Sequence, residues 1–133
     1  MWRGTVGAVK PERLHLRAVA EIVIAGDVET ATGVWKRFLG LMGRDSLPAG
    51  SALLLRPCGS IHMFFMRFPI DAVFLDRESR ILKIHHAIRP WRMTLPVRHA
   101  RSCVELPAGT ATHHKLAVGE PLILGQLAAT TPS

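Results

Sequence analysis

The stretch Pro57-Cys58-Gly59-Ser60-Ile61-His62-Met63-Phe64-Phe65-Met66-Arg67-Phe68-Pro69-Ile70-Asp71-Ala72-Val73-Phe74-Leu75-Asp76 holds the densest apolar and sulfur-bearing run of the chain. Apolar residues occupy both alternating series from Ile61 to Phe68, the pattern of a strand covered on both faces. Pro69 cannot donate to a ladder, so that strand ends near Phe68 and a second runs from Ile70 to Leu75. Asp71 lies near its start. His62 and Asp71 thus bring an imidazole and a carboxylate into one apolar neighbourhood, where a buried charge requires a partner. Arg44 is the expected cation.

Working outward, Arg13 to Ala25 reads as a first strand closed by Gly26-Asp27. Asp27 to Leu41 carries the best helical signal, with Thr30 or Thr32 as N-cap and Val34, Phe38 and Leu41 on one stripe. Ala52 to Leu55 is a short, wholly apolar run between turn residues, which suits a central strand. Arg77-Glu78-Ser79 forms a polar hairpin loop. Ile81 to Ile88 returns as a strand with Leu82, Ile84, His86 and Ile88 on one face, leaving Lys83 and His85 to solvent. Val97 to Leu106 is a further strand ended by Pro107-Ala108-Gly109, a helical turn follows over Thr110 to His114, and Pro121 to Leu124 is the last strand. Pro90 to Pro96 crosses the surface as a loop, and exposed Trp91 and Met93 there would call for a cause.

These elements describe a mainly β, α+β fold: a small mixed or antiparallel barrel of about six short strands with the early helix packed on it. The barrel spans 13–127, between a disordered leader at 1–12 and a tail at 128–133. With 133 residues and 48% hydrophobic content the chain builds one core without disulfides or metal as scaffolding. No apolar stretch reaches the length of a membrane span. The run Ala18 to Ala25 is interrupted by Glu21 and fails as a signal peptide. Cys58 and Cys103 form no Cys-x-x-Cys motif, so they are expected as separate reduced thiols in a cytoplasmic protein.

The net charge is +7, and 13 of the 17 basic residues are arginine. Such a balance raises the question of a nucleic-acid partner. The basic run from Arg77 to Arg101 contains one aromatic residue, Trp91, and the chain has no Tyr. Readers of single strands present several stacking platforms, so this run is expected to be a general electrostatic surface without specific nucleic-acid recognition.

Three segments resemble one family: Arg37-Phe38-Leu39-Gly40-Leu41-Met42-Gly43-Arg44, Phe65-Met66 with Pro69-Ile70-Asp71-Ala72-Val73-Phe74-Leu75-Asp76, and Val104-Glu105-Leu106-Pro107-Ala108-Gly109. In order and spacing they are similar to the bacterial and archaeal domain of unknown function 192 (UPF0127), from about Val34 to Leu124. The resemblance implies a compact β-barrel-like domain with a packed helix and no established reaction. Where that family commonly has Trp-Met-Lys, this chain has Phe65, Met66 and Arg67. An arginine does not deprotonate in a protein, so an amine nucleophile is excluded there.

Three chemistries suit the residues of and around the opening stretch. Cys58, His62, Met63 and Met66 are soft ligands of the kind copper(I) accepts, but alternation places Met63 opposite His62 and Met66, so no metal or other cofactor is expected. Cys58 beside Gly59, Ser60 and Arg56, with His62 nearby, has the setting of a nucleophile, although a cysteine at a strand end is more often an inert packing residue. Arg44, His62, Phe65, Met66, Arg67 and Asp71 together suit an apolar ligand pocket with a few fixed polar groups. The expectation is a non-enzymatic module for a small ligand or protein partner, a monomer or weak dimer without a membrane partner. An enzyme using His62 and Asp71 is the first alternative, and RNA binding over 77–101 the second.

Overall fold

The computed structural model describes residues 12–16, 19–32, 45–61, 63 and 66–126. Its strands are β1 (Glu12–Leu16), β2 (Val19–Ala25), β3 (Asp27–Thr32), β4 (Ser51–Arg56), β5 (Ile70–Leu75), β6 (Ile81–Ile88), β7 (Ser102–Pro107) and β8 (Leu122–Gln126), with a single helical turn α1 (Thr110–His113) between β7 and β8. They form two open sheets, one of three strands in the order β2-β1-β8 and one of five in the order β3-β4-β7-β5-β6. Every pairing is antiparallel except β3 with β4.

The five-stranded sheet separates two cores because its inner strands are apolar in both alternating series. β5 is buried at all six positions. Val73 and Leu75 join Val104, Leu106, Leu54, Ile24, Ala111 and Leu122 on one face, between the sheet, α1 and the three-stranded sheet. Ile70, Ala72 and Phe74 join Leu53, Leu55 and Cys103 on the other, under Cys58, Ile61, Met63 and Met66 from the connection between β4 and β5. Asp71 follows the first series.

Several expectations are corrected. The sheet order has two free ends, so the barrel gives way to an open two-sheet arrangement, and the described residues hold eight strands in place of about six. Asp27 to Thr32 is a strand rather than the start of a helix. Val28 is buried while Asp27, Glu29 and Thr30 are exposed, and the strand runs parallel to β4 with Val28 opposite Ala52. The remainder of that expected helix lies outside the described residues. Arg13 to Ala25 is two antiparallel strands and the β7 strand begins only at Ser102, whereas β4 is, as expected, an inner strand, flanked by β3 and β7.

The described residues between Ile61 and Phe68 form no strand, although Ile61, Met63 and Met66 are buried. Their backbone pairs instead with the loop after β6. Glu12, placed in the leader, opens β1; residues 1–11 and the tail lie outside the described residues.

β6 departs from strict alternation for a local reason. Ile70 stands opposite Ile88 and Ala72 opposite His85, so His86 and Ala87 together face Asp71 in a bulge. Past it the side-chain faces exchange: Ile84 packs on the first core and Ile88 on the second. His85, expected in solvent, is half-buried with its ring edge-on to Phe74 at 5.8 Å, whereas His86 is exposed.

Candidate functional site

Asp71 is fully buried, and three backbone amides converge on its carboxylate. Oδ1 accepts the Ala87 amide at 2.8 Å, and Oδ2 accepts the Gly109 amide at 3.1 Å and the Ala111 amide at 2.9 Å. The bulge in β6 turns the first donor inward, with Ala87 at φ 48°. Gly109, at φ 96° and ψ −14°, turns the other two inward at the start of α1. Only glycine adopts that backbone without penalty. The carboxylate clasps the β6 bulge and the start of α1 to the sheet.

A cation is therefore not required to satisfy Asp71. Arg44, expected to pair with it, lies outside the described residues, as do His62 and Phe65. Met66 is buried in the second core and Asp71 faces the first, so the sheet stands between them. Arg67 is exposed and pairs with the Asp45 carboxylate at 2.7 Å. Of the six candidate residues, the three with described positions are thus not brought together.

The second face holds a different polar group. Cys58 and Cys103 are both buried and form no disulfide, and Cys58 Sγ donates to the Ser60 carbonyl at 3.2 Å. Burial pushes the Cys103 thiol well above its ordinary range, and the neighbouring Cys58 side chain and the Glu105 carboxylate push it the same way. Glu105 is itself buried. It is not among the residues expected at the site. The signal was available, since an acid between Val104 and Leu106 in a central strand must face inward on one side or the other.

This arrangement disfavours thiol nucleophilicity, because the thiolate is the reactive form. Among the described residues, no group of three or more His, Cys, Asp or Glu side chains stands close enough together to hold a metal ion.

The surface carries the other departure from a plain globular exterior. Segment 89–98 follows β6 and is bound to the connection beneath it: the Trp91 amide donates to Met63 O at 2.7 Å, Met63 N to Arg92 O at 2.6 Å, Thr94 N to Ile61 O at 2.9 Å and Val97 N to Gly59 O at 2.8 Å. The buried Thr94 hydroxyl accepts the Ile61 amide at 3.0 Å. Trp91, Met93 and Leu95 nevertheless expose 58%, 64% and 83% of their surface. No described helix is long and apolar enough to cross a membrane.

Residues 17–124 match the family model of domain of unknown function 192, described as "Uncharacterized ACR". The chain belongs to that family. It is 34% identical over 104 residues to a UPF0127 protein of Thermococcus sibiricus, covering 75% of this chain and 67% of that one. A UPF0127 protein of Pyrococcus abyssi is 34% identical over 100 residues, or 71% and 83% of the two chains.

Two solved structures share the fold. A protein of unknown function from Novosphingobium aromaticivorans superposes with a TM-score of 0.73 at 20% identity, covering 85% of this chain and 83% of that chain. A candidate transcription regulator of Sinorhizobium meliloti superposes with a TM-score of 0.68 at 23% identity, covering 88% and 97%. At such identities the likeness concerns the fold alone. Within this family member, two of the three segments behind the resemblance build the Asp71 clasp: one supplies the carboxylate in β5, the other ends at Gly109.

Proposed function

We propose that this protein is a non-catalytic binding module that meets its partner through segment 89–98. The observation that carries this reading is the outward display of Trp91, Met93 and Leu95 on a backbone tied down at Trp91, Thr94 and Val97. Large apolar side chains shown together on an ordered segment mark interaction sites, since solitary surface hydrophobics are ordinary and clustered ones are not. The buried groups support the same reading. The Asp71 carboxylate is occupied by three amides, and the Cys103 thiol is held in its protonated form. Two thiols without a disulfide in one core suit a reducing, cytoplasmic compartment.

Hydroxyl-radical footprinting tests the reading without knowledge of the partner. Trp91 and Met93 should label readily in the purified protein and be protected in whole-cell extract that retains its membranes. Equal labelling in both would overturn it.

A further inference from the structure

We propose that segment 89–98 docks on an anionic lipid surface, with Trp91, Met93 and Leu95 entering the boundary between headgroups and acyl chains and the flanking arginines pairing with headgroup phosphates. This rests on the binding reading above and names the partner's class. Charge complementarity is the first support. Between Glu78 and Glu105 the sequence has no acidic residue, and it carries Arg80, Lys83, Arg89, Arg92, Arg98 and Arg101. Arg89, Arg92, Arg98 and Arg101, the four that neighbour Trp91, Met93 and Leu95 in sequence, are all exposed. A cationic segment of this kind is drawn to a surface of anionic headgroups, and long arginine side chains reach phosphates while their stems stay against apolar matter.

The form of the apolar display selects lipid over other anionic partners. Leu95 at 83% exposure projects so far that a partner must surround it on every side. A fluid headgroup layer does so at any position, whereas a folded acidic protein would need a pocket matched to it. Met93 and Leu95 are not aromatic, and bases of a single-stranded nucleic acid stack on aromatic faces, leaving these two tips uncovered. Tryptophan sits favourably at the level of the headgroups. Trp91 also holds φ 69°, a left-handed conformation unusual for a bulky residue and of the sort that persists where the surroundings impose it. Met63 supplies that constraint by bonding both Trp91 and Arg92. The segment is far too short to span a bilayer, and its exposed apolar tips among arginines suit a loop seated at the surface, in contrast to the expectation of no membrane partner.

Sedimentation of the full chain with vesicles tests the proposal, using equimolar phosphatidylglycerol and phosphatidylcholine against phosphatidylcholine alone. Binding is expected to the anionic vesicles only. Leu95→Asp should weaken it by at least about tenfold, and Arg92→Gln and Arg98→Gln by about fivefold each, the effect of removing one cation near a charged leaflet. All three side chains are exposed, so unchanged melting temperatures would show that the variants fold. No sedimentation with anionic vesicles overturns the proposal. So does binding that falls with the arginine variants but ignores Leu95→Asp, which is adsorption without insertion. Tight, salt-resistant binding of a single-stranded RNA oligomer that requires Trp91 would move the segment to nucleic acid. If Trp91 and Met93 are protected in membrane-free extract while vesicles fail, the binding module stands and the lipid partner falls; if nothing protects them, both fall.

Discussion

The carboxylate of Asp71 holds the amide of Ala87 at 2.8 Å across a bulge in which two residues of β6 stand against one of β5. Ala87 has φ 48°, a conformation that costs a non-glycine residue, and the charge-assisted hydrogen bond offsets that cost. The same carboxylate fixes the start of α1, so one side chain sets both the edge strand and the turn after the central strand.

Asp71→Asn should accordingly destabilise the protein by about 3 kcal/mol, because an amide group presents two hydrogens to amides that already donate. Urea denaturation reads this directly. A midpoint equal to that of the parent would mean the three amides find other acceptors.

Gly109→Ala separates backbone strain from crowding. A Cβ there meets nothing within 4 Å, yet φ is +96°. The cost should be about 1–2 kcal/mol from conformation alone. Gly26→Ala, with equal space and no positive φ, should be neutral within about 0.5 kcal/mol, so a matching loss at both positions would refute the distinction.

Both thiols should be silent toward a disulfide reagent in the native protein and titrate as two equivalents once it is denatured without reductant. Burial raises the Cys103 thiol, so the reactive thiolate is scarce in the fold. An intact mass lower by two protons than the fully reduced form would contradict this.

Stability should fall in mild acid. Desolvation, then Lys83 and His86, lower the His85 pKa below 6.5; desolvation, then His113, lower that of His114. For a base with a depressed folded-state pKa, protons bind the unfolded chain more readily. The stability is therefore fully present above 6.5 and is lost as pH falls through the folded-state values. The melting temperature should drop between about pH 7.5 and about pH 5, and His85→Gln should flatten part of that drop. His85 Nε2 is buried and has no hydrogen-bond partner among the described residues, consistent with a ring kept neutral. An unchanged slope in the variant would assign the effect elsewhere.

The local elements were legible because their signals are local. Pro69 and Arg77-Glu78-Ser79 bracket β5 as expected, Pro107-Ala108-Gly109 stops β7, and the helical turn at Thr110 follows. Where two local signals competed, the sequence misled. Thr30 and Thr32 suit a helix cap and a strand alike, and the parallel partner β4 made the segment a strand. His85 and His86 exchanged sides because one inserted residue reverses every face beyond it.

The sequence by itself determined that Ile70 to Leu75 would form a strand and that Asp71, lying near its start, would need a partner; that β5 is buried on both faces came from the structure. It also flagged Trp91 and Met93 as residues whose exposure would need a cause. Only the tertiary structure decided that the sheets stay open, that Asp71 and Met66 lie on opposite sides of one of them, and which groups answer the carboxylate. Those groups are amides 16, 38 and 40 residues away along the chain. Every non-proline residue carries such a donor, so composition cannot distinguish the three that the fold brings back.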